Sequence, residues 1–203
     1  MHQLRRKIRN IMMVSGLIIF SGLMFAGCAN NGMCADIDRS SGGSGSVSSV
    51  DATNDLTKSE ATEILRQVNA VRSEGDCDCP ASDGDSASSH DSLNTISWNT
   101  KLEKAASAHS IDMEFNDFFS HTGTGNTSVS DRVTLQAYAW VYVNENIAAG
   151  YSSVTEVMDG WLNSGGHCRN IMASTPNDIG VGLIYDNGAA TYSSYWTMDM
   201  GKQ

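Results

Sequence analysis

The sequence predicts an α+β fold for the stretch that follows residue 55, and three observations carry the prediction. Helical apolar stripes fill the first two thirds of that stretch, two runs alternating apolar and polar residues close it, and Asp186-Asn187-Gly188 sits between those runs as a hairpin turn. Helices first and antiparallel strands last is an α+β arrangement, not a succession of β-α units.

The elements follow in order. Ile64, Leu65, Val68 and Val71 share one helical face, with Thr57 or Ser59 as N-cap. After a loop rich in Asp, Ser and Gly, Asn99 caps a second helix whose buried face carries Leu102, Ala105, Ala106, His109 and Met113. Ser130 precedes a short helix through Val133 and Leu135. Ser153 and Glu156 form a capping box ahead of Val154, Val157, Met158, Trp161 and Leu162, and Gly165-Gly166 ends that helix. Ile179 to Tyr185 and Tyr192 to Met200 form the hairpin. There is no internal repeat.

The segments before this domain say where the protein works. Arg5, Arg6, Lys7 and Arg9 precede an apolar run from Ile11 to Ala26, which reads as a secretory signal over residues 1–27. The run is shorter than the roughly 20 apolar residues of a membrane span. Phe25-Ala26-Gly27-Cys28 resembles a bacterial lipobox with Phe25 in the usual leucine position, so Cys28 is the expected lipidation site and acyl chains the expected membrane anchor. Ala29, rather than aspartate, follows it, which in a two-membrane cell suggests the outer membrane. Residues 28–55, with the Ser/Gly run from Ser40 to Ser49, read as a flexible tether, because such a composition buries too little apolar surface to offset its ordering entropy. The remaining 56–203 are enough for one domain with a real core.

The formal charge of −10 becomes −14 once the four basic residues of the signal are removed. That balance argues against nucleic acid and against anionic lipid surfaces as partners. Beyond Cys28 the cysteines are Cys34, Cys77, Cys79 and Cys168, in an exported chain where disulfides persist. A bond from Cys77 or Cys79 to Cys168 braces the chain beside His167, whereas C-x-C without a second cysteine pair is a weak zinc signal.

Three short polar or glycine-containing runs carry the functional signal: Ser120-His121-Thr122-Gly123, Asn144-Glu145-Asn146-Ile147-Ala148 and Gly165-Gly166-His167-Cys168-Arg169-Asn170-Ile171-Met172. Read as loops on a rigid scaffold, they bring together imidazole and carboxylate, the groups of metal binding and proton transfer. His121, His167 and Glu145 are the candidate metal ligands, and two imidazoles with one carboxylate suit Zn2+ with an open position for water. Structural roles compete: the histidines can bond loop carbonyls, and His109 on its apolar helical face fits a hydrogen-bonding role. Arg132 can anchor the loop of His121 or pair with a carboxylate. Asn146, Asn170 and Asp199 read as network residues, and Trp98, Trp161 and Trp196 as core aromatics. H-E-x-x-H, G-x-S-x-G and a glycine-rich phosphate loop are all missing. Serines such as Ser120 and Ser164 do not define a triad by composition.

Taken in order, Trp98-Asn99, Ala105-Ala106-x-x-His109, Phe119-Ser120-His121-Thr122-Gly123, Asp131-Arg132, Glu145-Asn146-Ile147-Ala148, Gly166-His167-Cys168-x-Asn170-Ile171-Met172 and Tyr195-Trp196-Thr197-Met198-Asp199 resemble the CAP superfamily, closest to its bacterial SCP-like branch. The resemblance implies a three-layer α-β-α sandwich around an antiparallel sheet. It also implies a cleft of two histidines and two glutamates. His121, Glu145 and His167 match the first three, while Ser164 stands where the second glutamate falls, and Ser164, Asn146 and Asn170 become cleft residues. By analogy with the family, the expectation is a cell-surface binding module for a divalent metal, a lipid or a cell-envelope ligand, with a metal-dependent hydrolase or protease as the alternative.

Overall fold

Thr57 opens the first helix, α1 (Lys58–Glu74), with a complete capping box: its hydroxyl accepts from the Glu60 amide, and the Glu60 carboxylate accepts from the Thr57 amide. The structure, a computed structural model, describes residues 53–203 apart from 76, 82–88, 90 and 187. The signal, the lipidation site Cys28 and almost all of the tether lie outside the described residues. The folded body reaches back to Asn54, two residues before the expected boundary. Asn54 is buried and bonds the backbone of Val181 and Leu183, and the Asp55 amide donates to the Leu183 carbonyl.

The elements continue as β1 (Ser97–Trp98), α2 (Thr100–Asn116), a 3-10 turn (Thr124–Asn126), α3 (Val129–Leu135), β2 (Tyr142–Ala149), α4 (Val154–Leu162), α5 (Gly165–Ile171), β3 (Asp178–Tyr185) and β4 (Ser194–Lys202). The strands form one sheet in the order β1-β3-β4-β2. β3, β4 and β2 are antiparallel neighbours, but β1 pairs parallel to β3 through two residues, so the sheet is mixed rather than wholly antiparallel.

The sheet separates two helical layers, as expected of an α-β-α sandwich. The larger core lies on the side of α1, α4 and α5, where Ile64, Val68, Val157 and Trp161 meet Ile179, Val181, Trp196 and Met198. Burying each such side chain contributes roughly 1.5–3 kcal/mol. On the opposite face α2 lies almost directly on the sheet. β3 alternates Ile179, Val181 and Leu183 toward the larger core with Gly180 and Gly182 toward α2. A Cβ at Gly180 would overlap the backbone of Leu102 and Glu103, and one at Gly182 the backbone of Ala106 and Ser107. These glycines set the distance between helix and sheet. Toward α3, Leu102, Ala105, Val133 and Tyr138 complete this layer.

Several local expectations change. α3 starts at Val129, with Ser128 as N-cap paired with Asp131, so Ser130 lies inside the helix rather than before it. α4 ends at Leu162, and Gly165-Gly166 opens α5 instead of terminating the previous helix. Glu156 bonds the amide and hydroxyl of Ser152, so at Ser153 only half of the capping box forms. The hairpin strand starts at Ser194, and Asp186 holds the connecting loop by accepting from the amides of Gly188, Ala189 and Ala190. Two of the three functional runs are not loops: Asn144 to Ala148 lies within β2, and Gly165 to Ile171 is α5.

Two long-range restraints fix α5. Cys79 is the disulfide partner of Cys168, with Cα atoms 5.5 Å apart, and Cys77 is disulfide-bonded as well. From α1, the buried Arg72 guanidinium donates to the carbonyls of Ile171 and Ala173, both at 2.7 Å, at the C-terminal end of α5. Burial lowers its pKa, and the carbonyl dipoles hold its charge.

Candidate functional site

β2 is an edge strand, and its alternation divides the site between the two layers. Val143 and Ile147 point into the α2/α3 layer, and Glu145, between them, shares their face. Asn144 and Asn146 point toward α5: Asn144 donates to the Asn170 carbonyl at 3.2 Å and Asn146 to the His167 carbonyl at 3.1 Å. Asn170 returns the contact, donating to the Glu145 carbonyl at 3.2 Å and to Asn146 Oδ1 at 2.8 Å. The asparagines expected as network residues thus dock α5, and His167 with it, on the open edge of β2.

His121 arrives from the other layer. Asp117, in the left-handed region, ends α2 and turns the chain into the loop 117–123. His109 of α2 bonds the Ser120 carbonyl through Nε2 at 2.9 Å, and Asp112 accepts from the Thr124 amide and hydroxyl, both at 2.7 Å. The loop is therefore held on both sides of His121. Its ring places Nδ1 2.8 Å from Glu145 Oε1 while the side chain stays 57% exposed. Arg132 of α3 fulfils both roles open to it in the sequence: it donates to Glu145 Oε2 at 2.5 Å and to the carbonyls of His121 and Thr127.

The electrostatics follow from burial and pairing. Burial alone would raise the Glu145 pKa, but the hydrogen bond from His121 and the Arg132 charge outweigh it, and the group lies below the usual glutamate range. His109 and His167 are both lowered, chiefly by burial, and for His167 also by a charge on His121; the two cleft histidines are thus close enough to sense each other. Directly across from Glu145 in the β2–β4 register stands Asp199. It is fully buried, and its carboxyl lies against that of Glu145. Burial first, and then the Glu145 charge, raise its pKa well above the aspartate range while that of Glu145 is lowered, so of the two facing carboxyls Asp199 holds its proton to the higher pH. The sequence marked it only as a network residue. Its signal was the single acid in an otherwise apolar and small-residue strand, Tyr195 to Gly201.

Ser164, in the place of the family's second glutamate, is the N-cap residue of α5 without a side-chain cap bond. The Ser120 hydroxyl accepts from the Thr122 amide and serves the loop. The expected zinc set needs Glu145 as third ligand beside His121 and His167. Both of its oxygens are engaged, one by His121 and one by Arg132, and among the described residues no group of three His, Cys, Asp or Glu is placed to hold a metal ion. The three-ligand set does not fit this arrangement. Glu145 acts instead as the carboxylate that orients an imidazole, fixing Nδ1–H toward itself and leaving Nε2 of His121 turned away from the pair.

Comparison with known proteins agrees with this architecture. The model of the cysteine-rich secretory protein (CAP) family matches residues 65–200, and the chain belongs to that family. It is 33% identical over 91 residues to the uncharacterized membrane protein YlbC of Bacillus subtilis (strain 168), and 33% identical over 92 residues to the uncharacterized protein YkwD of the same organism. Each match covers 45% of this chain, but only 26% and 36% of those two proteins. An extracellular protein containing an SCP domain from Bacillus anthracis str. Ames aligns with a TM-score of 0.57 and 26% identity, over 71% of this chain and 41% of that one.

Proposed function

We propose that the protein is an exported CAP-family binding module, tethered to the membrane through a lipidated Cys28, whose cleft between His121 and His167 takes a small lipid or cell-envelope ligand. The buried Cys79–Cys168 disulfide supports export, since such bonds persist in oxidising compartments. The extracellular assignment of the Bacillus anthracis relative points the same way. One observation carries the binding reading: both Glu145 oxygens are committed to His121 and Arg132. The carboxylate fixes one wall of the cleft, and the imidazoles of His121 and His167 are the polar groups offered to a ligand, as hydrogen-bond partners or as a two-nitrogen contact for a divalent cation.

The hydrolase alternative has one favouring feature, the Glu145–His121 pair, because a carboxylate behind an imidazole is how a general base is oriented. Histidine-labelled protein titrated separately with zinc, with a short-chain phosphatidylcholine and with a muropeptide digest separates the readings. Binding predicts that one probe shifts the ring signals of His121 and His167 and leaves buried His109 unmoved, and that the His121→Ala/His167→Ala variant stays folded and loses the response. Turnover of ester or peptide substrates that vanishes in that variant would overturn binding in favour of catalysis. Submicromolar zinc binding that requires Glu145 would overturn the orienting role assigned to that carboxylate.

A further inference from the structure

The segment between α3 and β2 leaves three large apolar side chains in water within seven residues: Leu135 at 77% exposure, Trp140 at 41% and Val141 at 70%. Scattered apolar residues on a surface are ordinary, but a cluster of this kind marks contact with something apolar. Its surroundings narrow the choice. The Lys101 ammonium of α2 donates to the Ala137 carbonyl within the segment, Lys104 is exposed one turn further along α2, and the Val141 amide donates to the carbonyl of Lys202. Two of the four lysines that follow residue 53, Lys101 and Lys202, therefore border this one patch. Three of the four arginines that follow residue 53 are placed otherwise: Arg72 and Arg132 are buried, and Arg66 is paired with Glu63.

We infer that this face docks on an anionic lipid surface. Apolar side chains ringed by lysines are complementary to a bilayer with negatively charged headgroups, the lysines meeting phosphates while the apolar groups enter the interface. Trp140 suits that depth, because Thr134 Oγ already accepts its indole N–H at 3.0 Å and the ring can enter without an unpaired donor. The overall negative charge of the chain does not prevent this, since acids more than about 8 Å away are screened at physiological ionic strength. Asp131, bonded by Ser128, and Asp178, bonded by the Tyr138 hydroxyl, keep their charge near the patch, and the lysines and apolar side chains must outweigh them. The patch lies at the start of β2 and the cleft at its middle, so a docked domain keeps His121 and His167 accessible. The inference rests on the tethered reading above, which brings the domain within reach of a membrane.

The full-length chain is floated with vesicles of phosphatidylcholine alone and of phosphatidylcholine with phosphatidylglycerol, both carrying lipids brominated on the acyl chains. Of the four tryptophans, Trp140 alone is exposed, so quenching reports on the patch directly. Expected is quenching several-fold stronger with phosphatidylglycerol, weakened by high salt and by Lys101→Glu/Lys104→Glu/Lys202→Glu. It should also be weakened by Leu135→Ser/Val141→Ser and abolished in Trp140→Phe. Flotation without quenching would overturn the docking face and leave the tether standing. Quenching of a chain that mass spectrometry shows to lack acylation would support the face and overturn the lipid anchor. Equal quenching in both vesicle types would overturn the anionic preference.

Discussion

Replacing Arg132 by Met tests the central electrostatic feature of the site. The Arg132 and Glu145 side chains are 7% and 3% exposed, and one short charge-assisted hydrogen bond joins them. The variant leaves the Glu145 carboxylate buried with His121 as its remaining partner and removes a donor from the carbonyls of His121 and Thr127. Breaking one side of a buried ion pair costs about 3–5 kcal/mol. In a Glu145→Gln background no buried anion remains, and the same change should cost only about 1–2 kcal/mol for the two carbonyls. The double-mutant cycle therefore predicts a coupling of about 2–3 kcal/mol, read from urea unfolding of the four proteins at neutral pH. The sign with pH is also fixed. Glu145 has a depressed pKa in the folded protein, so its contribution is present above the ordinary glutamate range and is lost as pH falls through the folded-state value. The Arg132→Met deficit should accordingly shrink in acid. A coupling under about 0.5 kcal/mol would place the pair among solvent-screened surface bridges and refute the braced-cleft argument.

Three further outcomes follow from the packing and the buried groups. Asp199→Asn removes a carboxyl whose folded-state pKa is raised, a group whose stabilising effect is full below the unfolded aspartate value and is lost as pH rises toward the folded one. The variant's stability relative to wild type should therefore climb with pH by up to about 1.4 kcal/mol per unit, and a difference flat with pH would show Asp199 ionised in the native protein. Gly182→Ala drives a methyl into the Ser107 backbone and should cost about 3 kcal/mol in denaturant unfolding; a loss under about 1 kcal/mol would mean that α2 can lift from the sheet. Cys79→Ala/Cys168→Ala opens a closure between residues 89 apart, which the chain-entropy relation values at about 4.5 kcal/mol, and thermal unfolding of the variant against wild type checks it.

The sequence by itself determined the helices that carry an apolar stripe or a cap, because periodicity and capping are local: Thr57 and Asn99 start their helices as expected, and the stripe of Ile64 to Val71 is buried. Resemblance carried over the family, the three-layer arrangement and the three residues His121, Glu145 and His167. What local pattern did not supply is β2, whose Asn144-Glu145-Asn146 run lacks apolar alternation. Those polar residues are strand residues because each bonds across the edge, to α5 on one face and to His121 and Arg132 on the other. Tertiary structure alone decided that Cys79 rather than Cys77 meets Cys168, and that Arg72 caps a helix 99 residues away. It alone opposed Asp199 to Glu145, since strand register exists only once β2 and β4 pair. The chemistry of the cleft rests on that register: it sets a fully buried carboxyl against Glu145, and burial with the neighbouring charge raises the Asp199 pKa, a pairing absent from the linear chain.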